Sequence, residues 1–511
     1  MGGGGRVRRL RAEEPGAIEA AAAALRAGEL VAFPTETVYG LGANALDAAA
    51  AARIFAAKGR PADNPLIVHI ADEAMRELVA AEWPEAAAAL AAAFWPGPLT
   101  LVVPRSPRVP DVVTAGLPTV AVRFPDHDVA LALIRAAGVP VAAPSANRSG
   151  RPSPTTADDV LADYAAGSRA SAGESAAAAP RPAIVLDGGP VPIGVESTVV
   201  DCTGPVPCVL RPGGVSLEEL REILPDVRAA ADAEALRRSP GTRYRHYAPS
   251  VPLTVFRGPG ARVALLRALA DAAARGEAVA VLAPSDTAAA ARAAGRARAV
   301  VDAGPRERPA VYAAALYRGL RELEASGAAR ILAESPAPDG LGWAVRDRLA
   351  RAAAQVVDAP LARVLFVCTG NTCRSPMAEA LARRLAAQRG LPLEFASAGT
   401  HAAAGEAATP EAAQAVRRLG AELEGHASRA VTPELLQWAD LVVAMTPAHA
   451  ERLRRQHPEH APKVATWDEI FGGGDVPDPI GLGQDAYDAL VDRMAGDLRR
   501  WFQTAFGGAP A

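Results

Sequence analysis

Residues 364–379 read VLFVCTGNTCRSPMAE, and this stretch indicates an α/β fold for the chain around it. Residues 364–368 form a buried-strand run, and residues 375–382 begin a helix, with Ser375 placed before a proline in its first turn. The seven residues Cys368–Arg374 therefore connect a strand to a helix. Backbone N–H groups and a helix N-terminus converge in such a loop, which suits a phosphate-sized anion.

Three side chains carry the chemistry predicted for this loop. Cys368 and Arg374 would face the same anion, with Cys368 as a thiolate nucleophile and Arg374 binding the phosphate oxygens through two N–H groups. The pattern predicts covalent phosphocysteine catalysis, and a buried structural cysteine is the alternative. Asp478 lies in a Gly/Pro-rich segment, GGGDVPDPI (472–480), and is the candidate general acid, with a plain turn as the alternative.

Residues 361–511 resemble the low-molecular-weight protein tyrosine phosphatase family. The resemblance rests on the loop at 364–379, SAGT (397–400), ADLVVAMT (439–446) and the late Asp-Pro pair at 478–479. It implies that Cys368 is the nucleophile, Arg374 the phosphate binder, Ser375 a hydroxyl supporting the thiolate, Asn371 a loop support and Asp478 the general acid.

The branch of that family that looks closest is the bacterial protein-arginine phosphatase, which has a threonine at the position of Thr372. A threonine leaves room and a polar contact for a phosphorylated guanidinium, whereas the larger aliphatic residue of tyrosine-specific members packs against a phenyl ring. Phosphoarginine is the predicted substrate and phosphotyrosine the alternative. Related arsenate reductases need further cysteines downstream, which residues 374–511 lack. Cys373 either forms a protective disulfide with Cys368 or packs under the loop.

Strand-like and helical stretches alternate along most of the chain, so we expect several α/β domains. The predicted organisation is a disordered tail at 1–12, a twisted α/β domain at 13–228, a linker at 229–251, a small three-layer α/β domain at 252–358 and a parallel-sheet α/β domain at 361–511. The low-complexity residues 165–182 are predicted to be a surface insertion, and we give them no chemical role.

Composition excludes several classes of protein. The 511 residues carry 54 Lys+Arg against 57 Asp+Glu, so the formal net charge of −3 excludes a strongly basic nucleic-acid clamp. No apolar run approaches the roughly twenty residues that span a bilayer. Four cysteines are too few for a disulfide scaffold, and the first residues lack an apolar signal core. We therefore expect a cytoplasmic protein with no membrane contact.

Two segments of the N-terminal half combine groups that could hold a triphosphate. AKGRPADNPLIVH (57–69) places Lys58 and Arg60 beside a turn, and APSANRSGRPS (143–153) adds hydroxyl and amide groups. Lys58 and Lys463 are the only lysines of the chain, which makes the presence of Lys58 here notable. The chain has no Walker loop, so these segments are the predicted phosphate cradle, and ordinary surface turns are the alternative.

Residues 13–358 closely resemble the threonylcarbamoyl-AMP synthase family in its two-domain form. The matching stretches include FPTETVYGLGANA (33–45), TAGLPTVAVR (114–123), APSANRSGRPSPT (143–155), GVESTVVD (194–201) and SPGTRYRHYAP (239–249). The resemblance implies condensation of L-threonine, bicarbonate or CO2, and ATP into threonylcarbamoyl-AMP and pyrophosphate, for modification of tRNA adenosine 37. The insertion at 165–182 and Asp347, where the family often has Asn, depart from the pattern outside the inferred site.

The resemblance also implies two sets of binding residues. Threonine would be bound by Thr37, His69, Arg123, Ala143 and Ser197. ATP would be bound by Lys58, Arg60, Asn64, Thr119, Ser145, Asn147, Ser153 and Arg211. Tyr244 and His246 of the linker are candidates for a lid that covers the nucleotide and excludes water, with ordinary packing as the alternative. ATP would come with Mg²⁺, and no metal site of the protein itself is predicted.

Several partners follow from these resemblances. They are the downstream tRNA threonylcarbamoyl transferase machinery, a phosphoprotein substrate and a weak contact with RNA. Two alternatives of another class stay open: the N-terminal half as an RNA-binding module, and the C-terminal domain as an anion-binding regulatory domain.

Overall fold

The computed structural model describes residues 7–165, 180–230 and 247–506. They form two compact units, each built from several segments of the chain. The first unit comprises Met1–Leu253, Ala303–Gly327 and Pro338–Ala354, and the second unit comprises Thr254–Asp302, Ala328–Ala337 and Gln355–Ala511. The predicted boundaries at 229–251 and 358–361 do not separate these units. Two helices of the predicted small domain, Pro309–Ala325 and Leu341–Ala352, belong to the first unit, whereas the five-stranded sheet of that domain belongs to the second unit.

The first unit is built on a mixed sheet. Eleven strands within the described ranges are hydrogen-bonded in the order β1-β8-β2-β3-β7-β4-β6-β5-β9-β10-β11. The strands are β1 Arg8–Arg11, β2 Val31–Pro34, β3 Tyr39–Asn44, β4 Ile67–His69, β5 Leu99–Pro104, β6 Thr119–Arg123, β7 Val141–Ala142, β8 Ile184–Asp187, β9 Thr198–Asp201, β10 Cys208–Arg211 and β11 Arg228–Ala229. The helices are Ala17–Arg26, Ala48–Lys58, Glu73–Val79, Glu85–Phe94, Asp111–Thr114, Asp128–Ala137, Ala157–Tyr164, Leu217–Ile223, Pro309–Ala325 and Leu341–Ala352. The predicted α/β class is confirmed.

The start of the described chain corrects one prediction. The disordered tail expected at 1–12 is wrong for Arg8–Arg11, which form β1 and pair in parallel with Ile184–Asp187. Arg9 Nε donates to Asp187 Oδ2 at 3.0 Å, and Arg9 Nη1 donates to Asp158 Oδ1 at 2.7 Å. Carboxylates from distant parts of the chain thus neutralise a segment whose composition alone suggests a solvated tail. Most of the predicted insertion and linker lies outside the described residues.

The second unit contains two parallel sheets. The five-stranded sheet has the order β14-β13-β15-β12-β16, and the four-stranded sheet has the order β18-β17-β19-β20. The strands are β12 Leu253–Arg257, β13 Val279–Ala283, β14 Ala299–Asp302, β15 Arg330–Glu334, β16 Gln355–Asp358, β17 Arg363–Cys368, β18 Glu394–Gly399, β19 Leu441–Ala444 and β20 Val464–Thr466. The helices are Ala261–Ala274, Ser285–Ala293, Arg374–Gln388, Pro410–Arg418, Pro433–Trp438, Pro447–Gln456, the 3₁₀ helix Pro458–Lys463, Trp467–Phe471 and Gln484–Phe506.

The four-stranded sheet places Cys368 at its centre. β17 lies between β18 and β19 and runs parallel to both, so Cys368 stands at the carboxyl edge of a central strand. Aromatic side chains support this strand from one face: the ring of Phe366 lies 6.1 Å from that of Trp467, which lies 4.3 Å from that of Phe471. Burial of these rings fixes the strand from which the reactive loop departs. Across the described ranges, no helix is long and apolar enough to cross a membrane.

Candidate active sites

A pocket of the first unit opens where β4 and β6 end. The register pairs His69 with Arg123 at the carboxyl ends of these parallel strands. Burial, together with the Arg123 charge, lowers the pKa of His69 to about 3, so this imidazole is neutral at neutral pH. Arg123 Nη2 lies 2.8 Å from Glu36 Oε2 in a buried ion pair. The pocket is lined by Thr35, Val38, Gly40, Lys58, Arg60, Ile67, His69, Arg123, Ala143, Pro144, Ser145, Asn147, Ser149, Glu196, Ser197, Arg211 and Tyr247.

A helix end delivers Lys58 to this pocket. The helix Ala48–Lys58 is capped by the preceding Asp47, whose carboxylate accepts backbone N–H groups of the first turn. Lys58 is its last residue and is buried, and its Nζ donates to the backbone carbonyls of Ser145 and Asn147. Burial lowers the pKa of Lys58 well below its usual range. The lysine therefore joins the two segments of the predicted phosphate cradle.

Two arginines add positive charge to the same pocket. Arg60 Nη2 donates to Asn64 Oδ1 at 2.7 Å, and burial lowers the pKa of Arg60 to about 10. Arg211 Nη2 donates to the carbonyl of Ser197 at 3.0 Å and to its Oγ at 3.2 Å. Both guanidiniums stay charged at neutral pH, so the pocket suits a polyanion.

A buried carboxylate connects the pocket to the two helices from the predicted small domain. Glu196 accepts hydrogen bonds from Ser153 Oγ at 2.6 Å, from Tyr317 Oη at 3.0 Å and from Arg348 Nε at 2.7 Å. The guanidinium of Arg348 also lies over the ring of Tyr247, 5.4 Å from its centre. Burial alone would raise the pKa of Glu196, but the charges of Arg348 and Arg211 outweigh it and lower that pKa to about 2.

Glu196→Gln is expected to destabilise the first unit by about 3 kcal/mol at pH 7, because the buried Arg348 would lose one of its two carboxylate partners and keep only Asp347. The folded pKa of Glu196 lies below its ordinary value of 4.5, so its contribution is present above pH 4.5 and is lost as the pH falls toward 2. The variant should therefore lose less stability on acidification than the parent.

This prediction can be checked by urea denaturation of the full chain between pH 7 and pH 3, with hydrogen exchange of residues 198–201 reporting on the first unit. Glu73→Gln is the matched control, because Glu73 is 71% exposed and pairs with Arg76 at the surface. We expect the control to change stability by less than about 1 kcal/mol. Equal effects of both substitutions would contradict the role of the Glu196 network.

The structure brings most of the predicted synthase residues to one pocket. Those lining it are Lys58, Arg60, His69, Arg123, Ala143, Ser145, Asn147, Ser197 and Arg211. Three others are fully buried and bond to a lining residue: Thr37 to Thr35, Asn64 to Arg60 and Ser153 to Glu196.

Thr119 is not among the lining residues, because it begins β6 and lies at the opposite end of that strand from Arg123. Tyr244 and His246 lie outside the described residues. The sequence interpretation missed Glu196 and Tyr247 as pocket residues. Glu196 lies in the motif GVESTVVD and Tyr247 in the motif SPGTRYRHYAP, so their membership of these motifs was the signal that could have identified them.

In the second unit, the strand-to-helix loop surrounds Cys368 with donors. The backbone N–H of Asn371 donates to Cys368 Sγ at 3.3 Å, and Ser375 Oγ lies 3.0 Å from the same sulfur. Asn371 has a φ of 57°, a left-handed conformation that turns the loop toward the sulfur. Its Nδ2 donates to Ser375 Oγ at 3.0 Å and to Ser397 Oγ at 2.9 Å. This geometry fits the supporting positions predicted for Asn371 and Ser375.

Arg374 and Asp478 meet at the mouth of this loop. Arg374 begins the helix Arg374–Gln388, and its Nη2 donates to Asp478 Oδ2 at 2.6 Å. The same guanidinium donates through Nη1 to the carbonyl of Val476 at 3.4 Å. Asp478 is about half exposed. The structure therefore brings together the three side chains predicted for phosphate transfer, although they are separated by up to 110 positions in the sequence.

The two remaining loop residues of interest differ in their surroundings. Cys373 is buried, and burial together with the neighbouring Cys368 raises the pKa of its thiol to about 11. Both cysteines are free thiols. Thr372 is half-buried, and its carbonyl accepts the backbone N–H of Thr409 at 2.9 Å. The sequence interpretation missed His449, which bonds to Thr369 Oγ1 at 2.9 Å and thereby supports the loop.

Comparison with known proteins matches the parts of the chain that contain the two sites. Family models described as telomere recombination and as threonylcarbamoyl-AMP synthase C-terminal domain match residues 23–213 and 215–354. The threonylcarbamoyl-AMP synthase of Pyrococcus abyssi is 43% identical over 348 residues, which cover 66% of this chain and 93% of that protein. The chain belongs to the threonylcarbamoyl-AMP synthase family. A crystal structure of the P. abyssi synthase Sua5 complexed with L-threonine has a TM-score of 0.61 and 42% identity, and the match covers 70% of this chain and all of that one.

The C-terminal part of this synthase is a phosphatase domain. A family model described as low molecular weight phosphotyrosine protein phosphatase matches residues 363–506. The protein-arginine-phosphatase of Bacillus subtilis is 42% identical over 139 residues, which cover 27% of this chain and 92% of that protein. The synthase thus carries the domains of two enzymes, a nucleotidyltransferase that takes part in tRNA processing and a phosphatase.

Proposed function

We propose that this single chain catalyses both reactions, the synthesis of threonylcarbamoyl-AMP and the dephosphorylation of phosphoarginine in proteins. In the first reaction the amine of L-threonine attacks CO2 and loses a proton to give a carbamate. A carbamate oxygen then attacks the α-phosphorus of ATP, the bond to the β-phosphate oxygen breaks, and pyrophosphate leaves. No covalent enzyme intermediate is needed, so catalysis consists of positioning and charge stabilisation.

The pocket of the first unit supports this proposal because it offers cations for two different anions, the carboxylate of threonine and the phosphates of ATP. Arg123 Nε is buried and has no hydrogen-bond partner within the described part of the chain, which suits an incoming carboxylate such as that of threonine. Lys58, Arg60 and Arg211 line the pocket as well and would face the phosphates. Pyrophosphate release that requires both threonine and bicarbonate would distinguish this reaction from an RNA-binding module.

Mg²⁺ is part of the proposal as a companion of ATP. Glu196 is the carboxylate among the residues that line the pocket, and Arg348 and Tyr317 already occupy its oxygens. Among the described residues, no group of three or more His, Cys, Asp or Glu side chains could hold a metal ion. The ion would therefore be held by the phosphates, where it would neutralise part of their charge. The product would pass to the tRNA threonylcarbamoyl transferase machinery.

In the phosphatase reaction, Cys368 Sγ attacks phosphorus and the bond from phosphorus to the leaving atom breaks. Asp478 gives its proton to that leaving nitrogen or oxygen, and Arg374 binds the oxygens of the transferring group. Water then attacks the phosphocysteine and passes a proton to Asp478 as the phosphorus–sulfur bond breaks, which releases inorganic phosphate and the free thiolate. The contact of Asp478 with Arg374 at 2.6 Å supports this assignment, because it holds the acid beside the phosphate binder.

Thr372 supports phosphoarginine as the substrate. Thr372→Ile in the full chain is expected to lower kcat/KM for a phosphoarginine substrate by about tenfold or more and to raise it for phosphotyrosine, because an aliphatic side chain replaces a small polar wall. The measurement is turnover of both substrates by the parent and the variant. Thr504→Ile is the matched control, since Thr504 is exposed on the final helix. If the parent chain prefers phosphotyrosine, the domain is a tyrosine phosphatase.

A further inference from the structure

Arg262 is a buried cation of the second unit that neither predicted reaction uses. It lies in the first turn of the helix Ala261–Ala274, beside the five-stranded sheet, and its side chain is only 6% exposed. Its Nη2 donates to Glu469 Oε2 at 3.0 Å, and its Nη1 donates to the carbonyl of Glu469 at 3.2 Å. Asp286 Oδ2 also accepts from Nη1 at 3.2 Å. A buried arginine held by three acceptors has one well-defined position.

Glu469 belongs to the short helix Trp467–Phe471 of the phosphatase domain. It forms the capping box of that helix, because its Oε2 accepts the backbone N–H of Thr466 at 3.0 Å while its own N–H donates to Thr466 Oγ1 at 3.1 Å. Val263, the neighbour of Arg262, is buried in the same hydrophobic cluster as Trp467 and Phe471. The helix that starts at Ala261 thus contacts this capped turn through both charge and apolar packing.

The helix Trp467–Phe471 leads directly into the segment that carries Asp478. Gly472, Gly473 and Gly474 follow, with φ values of 70°, 82° and 84°, so the chain makes a turn that other residues rarely adopt. Val476 is fully buried, and its backbone N–H donates to the carbonyl of Met445 at 2.9 Å. Asp468 Oδ1 of the same short helix accepts the backbone N–H of Gly474 at 2.7 Å, and Arg493 donates to the carbonyls of Gly473 and Asp475. The capped helix is therefore one of several anchors, with Arg493 and Val476, that set the position of Asp478 relative to Arg374.

We infer that Arg262 is a positioning residue for the phosphatase reaction: by holding Glu469 and its helix, it sets the approach of Asp478 to the leaving group. The inference rests on the proposed role of Asp478 as general acid. In that step the phosphorus–oxygen bond of a phosphate ester breaks as the leaving oxygen takes the proton of Asp478. A displaced acid slows this step most when the leaving oxygen is strongly basic, and least when the leaving group departs without a proton.

The test compares two aryl phosphates in the full chain. Arg262→Gln is expected to lower kcat/KM for phenyl phosphate about tenfold, with little change in kcat/KM for 2,4-dinitrophenyl phosphate, whose leaving group needs no proton. The ratio kcat/KM reports only phosphate transfer to Cys368, whereas kcat also contains hydrolysis of the phosphocysteine, which is the same for both substrates. Asp478→Asn should show the same selectivity with a larger effect. Arg257→Gln is the matched control, because Arg257 lies on the same five-stranded sheet but pairs at the surface with Asp358.

The outcomes distinguish failure of the inference about Arg262 from failure of the proposed acid role of Asp478. An equal loss on both substrates would show that Arg262 has only a structural role. Unchanged kinetics would show that Asp478 is positioned without Arg262. Either result overturns the inference. If Asp478→Asn lacks the selectivity, the proposed acid itself is wrong. Should Arg262→Gln fail to fold, Glu469→Gln keeps the helix cap and removes the charge, and it must show the selective loss in smaller degree.

Discussion

Cys368→Ser is expected to abolish phosphatase turnover by the full chain, with a loss on the order of 10⁴-fold, because a serine hydroxyl stays protonated where the thiolate would attack. The neighbouring cysteine cannot replace it: burial raises the pKa of Cys373 to about 11, so that sulfur is a thiol at neutral pH. The measurement is release of inorganic phosphate from a phosphoarginine substrate. Threonine- and bicarbonate-dependent release of pyrophosphate should be unchanged in the same preparation.

The matched control for this substitution is Cys208→Ser, which makes the same chemical change in the first unit. It should leave phosphate release unaltered. If Cys368→Ser keeps its turnover, the thiolate mechanism is wrong. If the parent chain binds phosphate without turning over any phosphorylated amino acid, the domain is an anion-binding regulatory module.

Lys58→Met is expected to lower kcat/KM for ATP in threonylcarbamoyl-AMP synthesis by about 10²–10³-fold, because it removes a cation from the pocket and leaves two carbonyls without their donor. Those carbonyls belong to Ser145 and Asn147, so the segment that would cradle the phosphates loses its anchor. Methionine keeps the length and most of the volume of lysine, which limits the effect on packing. The measurement is pyrophosphate release at several ATP concentrations.

The other lysine of the chain supplies the control. Lys463 is also buried, and its Nζ also donates to two backbone carbonyls, those of Leu436 and Ala439. Burial, with help from the Arg267 charge, lowers its pKa to about 8. Lys463→Met should therefore destabilise the second unit while leaving ATP use intact. Equal effects of the two substitutions on ATP kinetics would show that Lys58 acts only through stability.

The sequence was most informative where strand, loop and helix follow one another directly. The strand ending at Cys368 and the helix that follows the loop are local features, and the hydrophobic pattern with the Ser-Pro helix start is sufficient to predict them. The left-handed conformation of Asn371 was not predicted. The approach of Asp478 to Arg374 is not local. The Gly/Pro-rich segment at 472–480 made Asp478 a candidate acid with a plain turn as the alternative, and the resemblance to a family favoured the acid. The roles of the individual residues remain predictions that the substitutions above can test.

Other features depend on partners that no local pattern indicates. β1 was misinterpreted because Arg9 is neutralised by Asp158 and Asp187, which lie about 150 and 180 positions later. Glu196 was missed as a pocket residue for the same reason, since Tyr317 and Arg348 are distant in the sequence. A charged side chain can be buried only where its counter-charge lies close by. When the two residues are more than a hundred positions apart in the sequence, only the complete fold brings them together, so no local pattern predicts the pair.

The network around Glu196 also has a consequence for synthesis of the protein on the ribosome. The pocket carboxylate is made early, but Arg348, which neutralises it, follows 152 positions later. At about 5–20 residues per second, this interval lasts on the order of ten to thirty seconds. During that time the nascent mixed sheet holds Glu196 with the nearby charge of Arg211 but without Arg348, the cation that hydrogen-bonds to it. The first unit can therefore reach its native state only after the helix Leu341–Ala352 has emerged, when the sequence of the second unit has already begun to appear.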